Sequence, residues 1–220
     1  MSLMNKLLKY SASEISDAMD SLGVGGALKH IKPLKSSHQI AGPVYTVRYE
    51  PYSDKPEDFK KAGDYIDDIP EGAVVLIDNN GRDNCTIWGH ILTVTAQHKN
   101  LAGTIVLGVV RDAHQIMALD YPVFSMGTHM QSGKNRVRLV SVQESIQWHG
   151  CEIQPDDMVF ADQDGVLVIP NHLTDEVIKR AEVIHDTEEK ILEAVKNGMP
   201  LKKARQKYHY HQPWLKHHES

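Results

Sequence analysis

Gly103-Thr104-Ile105-Val106-Leu107-Gly108-Val109-Val110 runs straight into Arg111-Asp112, and this stretch decides how the chain is read. A short uncharged apolar run of strand length is what a strand buried on both faces requires. Upstream, Ala73-Val74-Val75-Leu76-Ile77 has the same character. Turn-forming residues follow it, Asp78-Asn79-Asn80-Gly81-Arg82-Asp83-Asn84. Ile87 to His98 then has the composition of a helix. Strand, helix and strand in that order give an α/β class.

Working outward, Ser11-Ala12-Ser13-Glu14 has the spacing of a capping box. Ile15, Ala18, Met19 and Leu22 follow at helical steps and Gly23 supplies a stop, so a helix is predicted over 12–22. Ala41 to Tyr49 alternates as a strand. Residues 51–61 are polar and predict a surface loop or short helix. A helix is expected over Asp112 to Leu119, a short strand at Pro122-Val123-Phe124, and another strand over Val137 to Val142. Gln154-Pro155-Asp156-Asp157 is a turn before the strand Met158-Val159-Phe160. Asp162-Gln163-Asp164-Gly165 joins that strand to Val166-Leu167-Val168-Ile169, which Pro170 ends. A long helix spans about Leu173 to Lys196, with Val177, Ala181, Ile184, Ile191 and Val195 on its apolar face and Asn197-Gly198 as its cap. Strands succeed one another from 121 to 169 without helices between them. The prediction is therefore a single layered domain over 1–200, with helices on one side of the sheets and a helical C-terminal extension. Residues 201–220 are expected to form a polar, His-rich tail carrying His209, His211, His217 and His218.

The chain has 220 residues, 41% hydrophobic and 24% charged, which suffices for a globular core. Its net charge of −5 argues against a general affinity for nucleic acid or an anionic membrane. Two cysteines in this length are no disulfide framework, and reduced thiols in the cytoplasm are expected. No stretch resembles a signal peptide or approaches the roughly 18 apolar residues of a membrane helix.

A strand that leaves the core and delivers Arg111 and Asp112 places charge in the crevice where open α/β sheets bind ligands. A guanidinium suits a carboxylate, and Asp suits a hard cation. The dipeptide alone is also explained by a surface Arg and a helix N-cap Asp. Trp88-Gly89-His90-Ile91 precedes a helix, where Gly89 permits close approach and free amides favour an anion. The twenty positions from 91 to 110 make one helix and one strand, a connection able to bring both features to one sheet edge. Arg82 and Asp83 are further candidates for that edge. Cys85 is expected to be a small buried thiol.

At these residues the sequence resembles the RraA-like family (regulator of ribonuclease activity A), which includes 4-hydroxy-4-methyl-2-oxoglutarate aldolases. The resemblance is carried by Ser16-Asp17-Ala18, Ala41 to Val47, Trp88 to Leu92, Leu101 to Asp112, Pro155-Asp156-Asp157 and Ala161 to Pro170. It implies a swivelling β/β/α fold, assembled as homotrimers or homohexamers with sites between subunits. It implies Mg²⁺ or Mn²⁺ at Asp112, the pyruvate moiety of a substrate on Arg111, and its carboxylate on the amides of Gly89, His90, Ile91 and Leu92. The implied reaction is retro-aldol cleavage of a 4-hydroxy-2-oxo acid, or oxaloacetate decarboxylation, through a pyruvate enolate. Aldolase members carry Asp or Glu where this chain has His90, which suits a base or a softer metal ligand. The acid that members contribute from the C-terminal helix to a neighbouring subunit corresponds to Glu188 or Glu189. The competing implication is a non-catalytic regulator that binds a ribonuclease or another protein. Methyl transfer is disfavoured, because no Gly-rich loop with a following acidic residue marks a nucleoside cofactor site.

Overall fold

The computed structural model describes residues 2–52 and 63–215. Most of the polar 51–61 tract, and His217 and His218, lie outside the described residues. The chain opens with helices α1, Leu3–Leu7, and α2, Ala12–Ser21. The capping box is formed: Glu14 N–H donates to Ser11 Oγ at 3.3 Å, and Ser11 N–H donates to Glu14 Oε2 at 2.6 Å. Two-residue strands β1, Ala27–Leu28, and β2, Lys32–Pro33, lead into the long strand β3, Ile40–Pro51. Then come β4, Val74–Asp78; α3, His90–His98; β5, Gly103–Val110; α4, Ala113–Ala118; and β6, Val123–Thr128. Strand β7, Val137–Val142, precedes a hairpin of β8, Ile146–Trp148, and β9, Cys151–Ile153. Strands β10, Met158–Ala161, and β11, Val166–Ile169, precede helices α5, Thr174–Lys196, and α6, Leu201–Lys207.

The main sheet runs β1-β11-β10-β3-β4-β5-β6-β2, with β7 also on β3. β3 serves two kinds of neighbour. Its first residues pair antiparallel with β10, and Val44 to Arg48 pair in parallel with β4. β4, β5 and β6 continue the parallel half. One core cluster holds Leu28 and Val166 from one end of this sheet together with Phe124 from the other. The sheet therefore curls round on itself, and Ile105, Leu107, Val44 and Leu76 fill the inside of the curl.

The opposite side chains of the same strands meet helices. Val75, Ile77, Val106 and Val110 pack in one cluster with Ala96 of α3 and Ile116 of α4. Ala41, Phe160, Leu167 and Ile169 pack with Ile15 and Met19 of α2 and Val177, Ala181 and Ile184 of α5. On β3, Ile40 and Val44 point into the curl, while Ala41, Tyr45 and Val47 point outward, so both helix groups cover the one outer face. This is the layered α/β arrangement with helices on one side that the strand pattern predicts. It also explains why β4 and β5 lack alternation: each is apolar on both faces.

Beyond α5, Ala204 of α6 is buried against Ile191 and Ala194, and Tyr208 and Tyr210 pack on the same cluster. Trp214 packs against the α2–α5 group. Cys85 and Cys151 are free thiols. Among the described residues no helix is long and apolar enough to cross a membrane.

Phe160 is fully buried between sheet and helices, so Phe160→Ala is expected to cost about 3–5 kcal/mol in chemical denaturation. Leu192→Ala, at a side chain 50% exposed on α5, should change stability by no more than about 0.5 kcal/mol. A second expectation concerns pH. Burial alone would raise the Glu14 pKa, but bonds from the Ser11 amide and His185 outweigh it and bring it below the ordinary value. The same bond, His185 Nδ1 to Glu14 Oε1 at 2.7 Å, raises His185. Glu14 then stabilises the fold above the ordinary carboxylate pKa of 4.5, and loses that effect as pH falls through its lowered value. His185 stabilises below the ordinary imidazole pKa of 6.5, and loses that effect as pH rises through its raised value. Glu14→Gln should flatten the profile of Tm against pH on both sides of that window.

Candidate functional site

Arg111 and Asp112 leave the carboxyl end of β5 where β4 also ends. The loop after β4 crosses this end closely: Val109 N–H donates to Arg82 O at 3.3 Å, and Arg111 N–H donates to Trp88 O at 3.1 Å. Gly108 makes the crossing possible, since a Cβ there would lie 3.1 Å from Asn79 Cβ and 3.2 Å from Arg82 O. The approach at Gly89 is tighter than that at Gly108. A Cβ on Gly89 would stand 2.6 Å from Asp112 Oδ2 and 2.9 Å from Arg111 Cγ. Only glycine lets the start of α3 lie against the Arg111-Asp112 pair.

Asp112 is in the left-handed region, with φ 60° and ψ 30°, at the N-cap position of α4. Its carboxylate makes no cap bond there. It accepts the N–H of His90 at 3.0 Å instead, with Arg111 Nε 3.5 Å from the same oxygen. Asp112 thus caps α3 from across the sheet edge, in place of the side chain Gly89 lacks. No hydrogen bond among the described residues takes up the N–H groups of Ile91 and Leu92, the next two in that turn. Behind the turn, the buried Trp88 indole N–H donates to Thr93 Oγ1 at 2.9 Å, and that hydroxyl donates to Gly89 O at 3.0 Å.

A cavity of about 210 Å³ opens at this point, lined by Tyr49, Gly63, Thr86, Ile87, Trp88, Gly89, Ile91, Leu92, Arg111 and Ser132. It is smaller than the roughly 300–1,000 Å³ of pockets for drug-sized ligands, so it suits a small molecule. Arg111 is the charged lining residue among those described. Burial pushes the Tyr49 phenol well up, so this ring stays protonated. Arg111 and Asp112 side chains are 39% and 34% exposed, so their mutual attraction is screened by water.

Of the residues singled out from sequence, Gly89, Ile91, Leu92 and Arg111 line one cavity. His90 and Asp112 do not themselves line it; the His90 amide is taken by Asp112 and the residue is partly exposed. Arg82 and Asp83 are not among the lining residues; Arg82 Nη1 donates to Asn79 O at 2.8 Å. Cys85 is a buried free thiol, as expected, in the same core cluster as Trp88. Glu188 is half-buried in a separate groove with Asp17, Asp20 and Trp214, and Glu189 is exposed; neither lines the cavity. Tyr49, Thr86 and Ser132 were not foreseen. The last two come together because Thr86 N–H donates to Gln131 O at 2.9 Å and Gly133 N–H donates to Thr86 O at 2.6 Å.

Among the described residues no group of three or more His, Cys, Asp or Glu side chains gathers as a metal cage. Asp112 offers one carboxylate whose Oδ1 carries no hydrogen bond among the described residues. One carboxylate fits a hard cation that keeps most of its water, as Mg²⁺ does.

Residues 12–168 match the RraA-like family model, described as Aldolase/RraA. Protein DlpA of Legionella pneumophila is 46% identical over 213 residues, which is 97% of this chain and 35% of that protein. The chain therefore spans about a third of DlpA's length. A Halalkalibacterium halodurans protein named as a 4-hydroxy-4-methyl-2-oxoglutarate aldolase is 30% identical over 173 residues, covering 76% of each chain. The crystal structure of an uncharacterized protein from Pseudomonas syringae pv. tomato superposes with a TM-score of 0.88 at 37% identity, covering 94% of this chain and 93% of that one. Streptomyces coelicolor RraAS2, described as an unusual member of the RNase ES inhibitor RraA protein family, shares the fold with a TM-score of 0.74 at 21% identity, covering 90% and 96%. The matched span holds the curled sheet, α3 and the Arg111-Asp112 edge, and the chain belongs to the RraA-like (Aldolase/RraA) family.

Proposed function

We propose that this chain is a lyase for small 2-oxo acids, cleaving a 4-hydroxy-2-oxo acid or decarboxylating oxaloacetate through a pyruvate enolate. The observation that carries this reading is the cavity's make-up. Arg111, Ile91 and Leu92 line one small, mostly apolar space, and the amides of the last two, at a helix N-terminus, are taken up by no hydrogen bond among the described residues. Amides at a helix start favour an anion, and a guanidinium matches a carboxylate or an enolate oxygen. The substrate carboxylate lies on the amides and the 2-oxo group faces Arg111. In the retro-aldol reaction a base takes the 4-hydroxyl proton, the C3–C4 bond breaks, and its electron pair moves to the 2-oxo oxygen. Decarboxylation breaks the corresponding bond and releases CO₂, leaving the same enolate. A proton delivered to C3 then gives pyruvate. Arg111 stabilises the charge that develops on the oxygen. We assign the proton to the His90 imidazole, which follows the lining residue Gly89 in sequence but does not itself line the cavity. Asp112 would hold a divalent cation, Mg²⁺ or Mn²⁺, whose charge would further stabilise the enolate.

A protein-binding regulatory role has one observation in its favour. Ile91 and Met130 are 76% and 77% exposed, and a partner or a second copy of this chain would cover such apolar side chains.

Coupled pyruvate release from 4-hydroxy-4-methyl-2-oxoglutarate and from oxaloacetate, with Mg²⁺ or Mn²⁺, tests the lyase reading. No pyruvate from either substrate at high enzyme concentration would sink it. Arg111→Ala should lower kcat/KM on the order of 10²- to 10³-fold, the usual loss of a transition-state charge partner. Gly89→Ala forces Asp112 and Arg111 aside and should cost a similar factor. His90→Ala should lower kcat about 10²- to 10⁴-fold with little change in KM, the size of general acid–base assistance; an unchanged kcat would remove His90 from the proton path.

A further inference from the structure

We infer that Thr93 is a positioning residue, whose hydroxyl holds the anion-binding turn of α3 in register with Arg111. The inference rests on the oxo-acid reading of the cavity. Thr93 is fully buried and does not line the cavity. Its hydroxyl closes a ring of bonds through Trp88 and Gly89, and Arg111 is tied to that ring by its own N–H. Arg111 N–H donates to Trp88 O at 3.1 Å, tying the end of β5 to Trp88. Trp88 Nε1–H donates to Thr93 Oγ1 at 2.9 Å. Thr93 Oγ1–H donates to Gly89 O at 3.0 Å, beside the helical bond from Thr93 N–H at 3.1 Å.

A helical Thr bonding back one turn is common. Thr95 does so on the same helix, Oγ1 to Ile91 O at 3.0 Å, without receiving an indole. What sets Thr93 apart is that one hydroxyl both accepts and donates. It thereby fixes Trp88, whose carbonyl holds Arg111, and Gly89, whose peptide begins the amide turn. Valine has the shape of threonine but neither capacity. It leaves the buried indole N–H without a partner, so Trp88 must turn or shift to regain one. Arg111 and the Ile91 and Leu92 amides would then no longer face one 2-oxo acid together, its carboxylate on the amides and its 2-oxo group on Arg111.

The test uses oxalate, a planar mimic of the pyruvate enolate, with Mg²⁺ and the full chain, and reads its Kd by calorimetry. Thr93→Val should weaken oxalate about tenfold, the worth of one net hydrogen bond. Thr93→Ser should return it to within about threefold of the unaltered protein, because serine keeps the hydroxyl. Thr95→Val should leave it unchanged. Rescue by serine is what a purely packing role would not produce, since serine lacks the methyl group. If Thr93→Val does not fold by circular dichroism, Trp88→Phe carries the test: it deletes the donor, keeps an aromatic ring, and should weaken oxalate in the same direction. Full-strength binding by Thr93→Val, or by Trp88→Phe in its place, or failure of serine to rescue, overturns the role of Thr93 alone. No oxalate binding by the unaltered protein overturns the oxo-acid reading and this inference with it.

Discussion

The bare backbone of Gly89 lies against Arg111 and Asp112, and the geometry of this edge depends on that approach. Sequence places the two features on separate elements, one opening α3 and the other ending β5. The missing Cβ lets them touch, and the Asp112 carboxylate then caps the helix that Gly89 cannot cap. A non-glycine residue in the left-handed region costs about 1–2 kcal/mol. A hydrogen bond to a charged group returns about 1.5–3 kcal/mol. The bond from His90 N–H to the Asp112 carboxylate therefore offsets the cost of the left-handed Asp112 backbone. The bend at Asp112 and the start of α3 are tied by that bond, with Arg111 packed against the same Gly89 backbone.

Legibility in the sequence followed how local each cause is. β5 begins at Gly103 and ends at Val110 as read, because a strand buried on both faces announces itself by composition. The helix over Thr174–Lys196 was readable from its apolar period and its Gly198 stop. β1 was not readable: Ala27 and Leu28 are extended because β11, far along the chain at Val166–Ile169, accepts them as neighbours. The same holds for β2 on β6. α6 was hidden in a polar tract whose buried small residue, Ala204, gives no periodic signal in seven residues.

The site divides along the same line. Gly89 and Arg111 were readable because a glycine before a helix and a charge after a buried strand each have a local physical reason. Tyr49, Thr86 and Ser132 come from different segments and bring one side chain each, with no spacing to betray them. Asp112 shows how adjacency misleads. Its place before α4 invites the reading of a cap for that helix, but the left-handed backbone turns the carboxylate to α3.

The charge at this edge argues for what the cavity still requires. Arg111 and Asp112 carry opposite unit charges close together, so their fields largely cancel for an anion arriving from outside. What remains is the helix N-terminus, worth about half an elementary charge. Under the proposed lyase reading that would orient one carboxylate on the amides, but the proposed substrates, oxaloacetate and 4-hydroxy-4-methyl-2-oxoglutarate, each carry at least two. A doubly charged cation on the free oxygen of Asp112 would turn the edge from neutral to positive without disturbing the His90 bond, which uses the other oxygen. One carboxylate would then have two compatible tasks: it would hold the helix that presents the amides and carry the ion that makes a dianion welcome there.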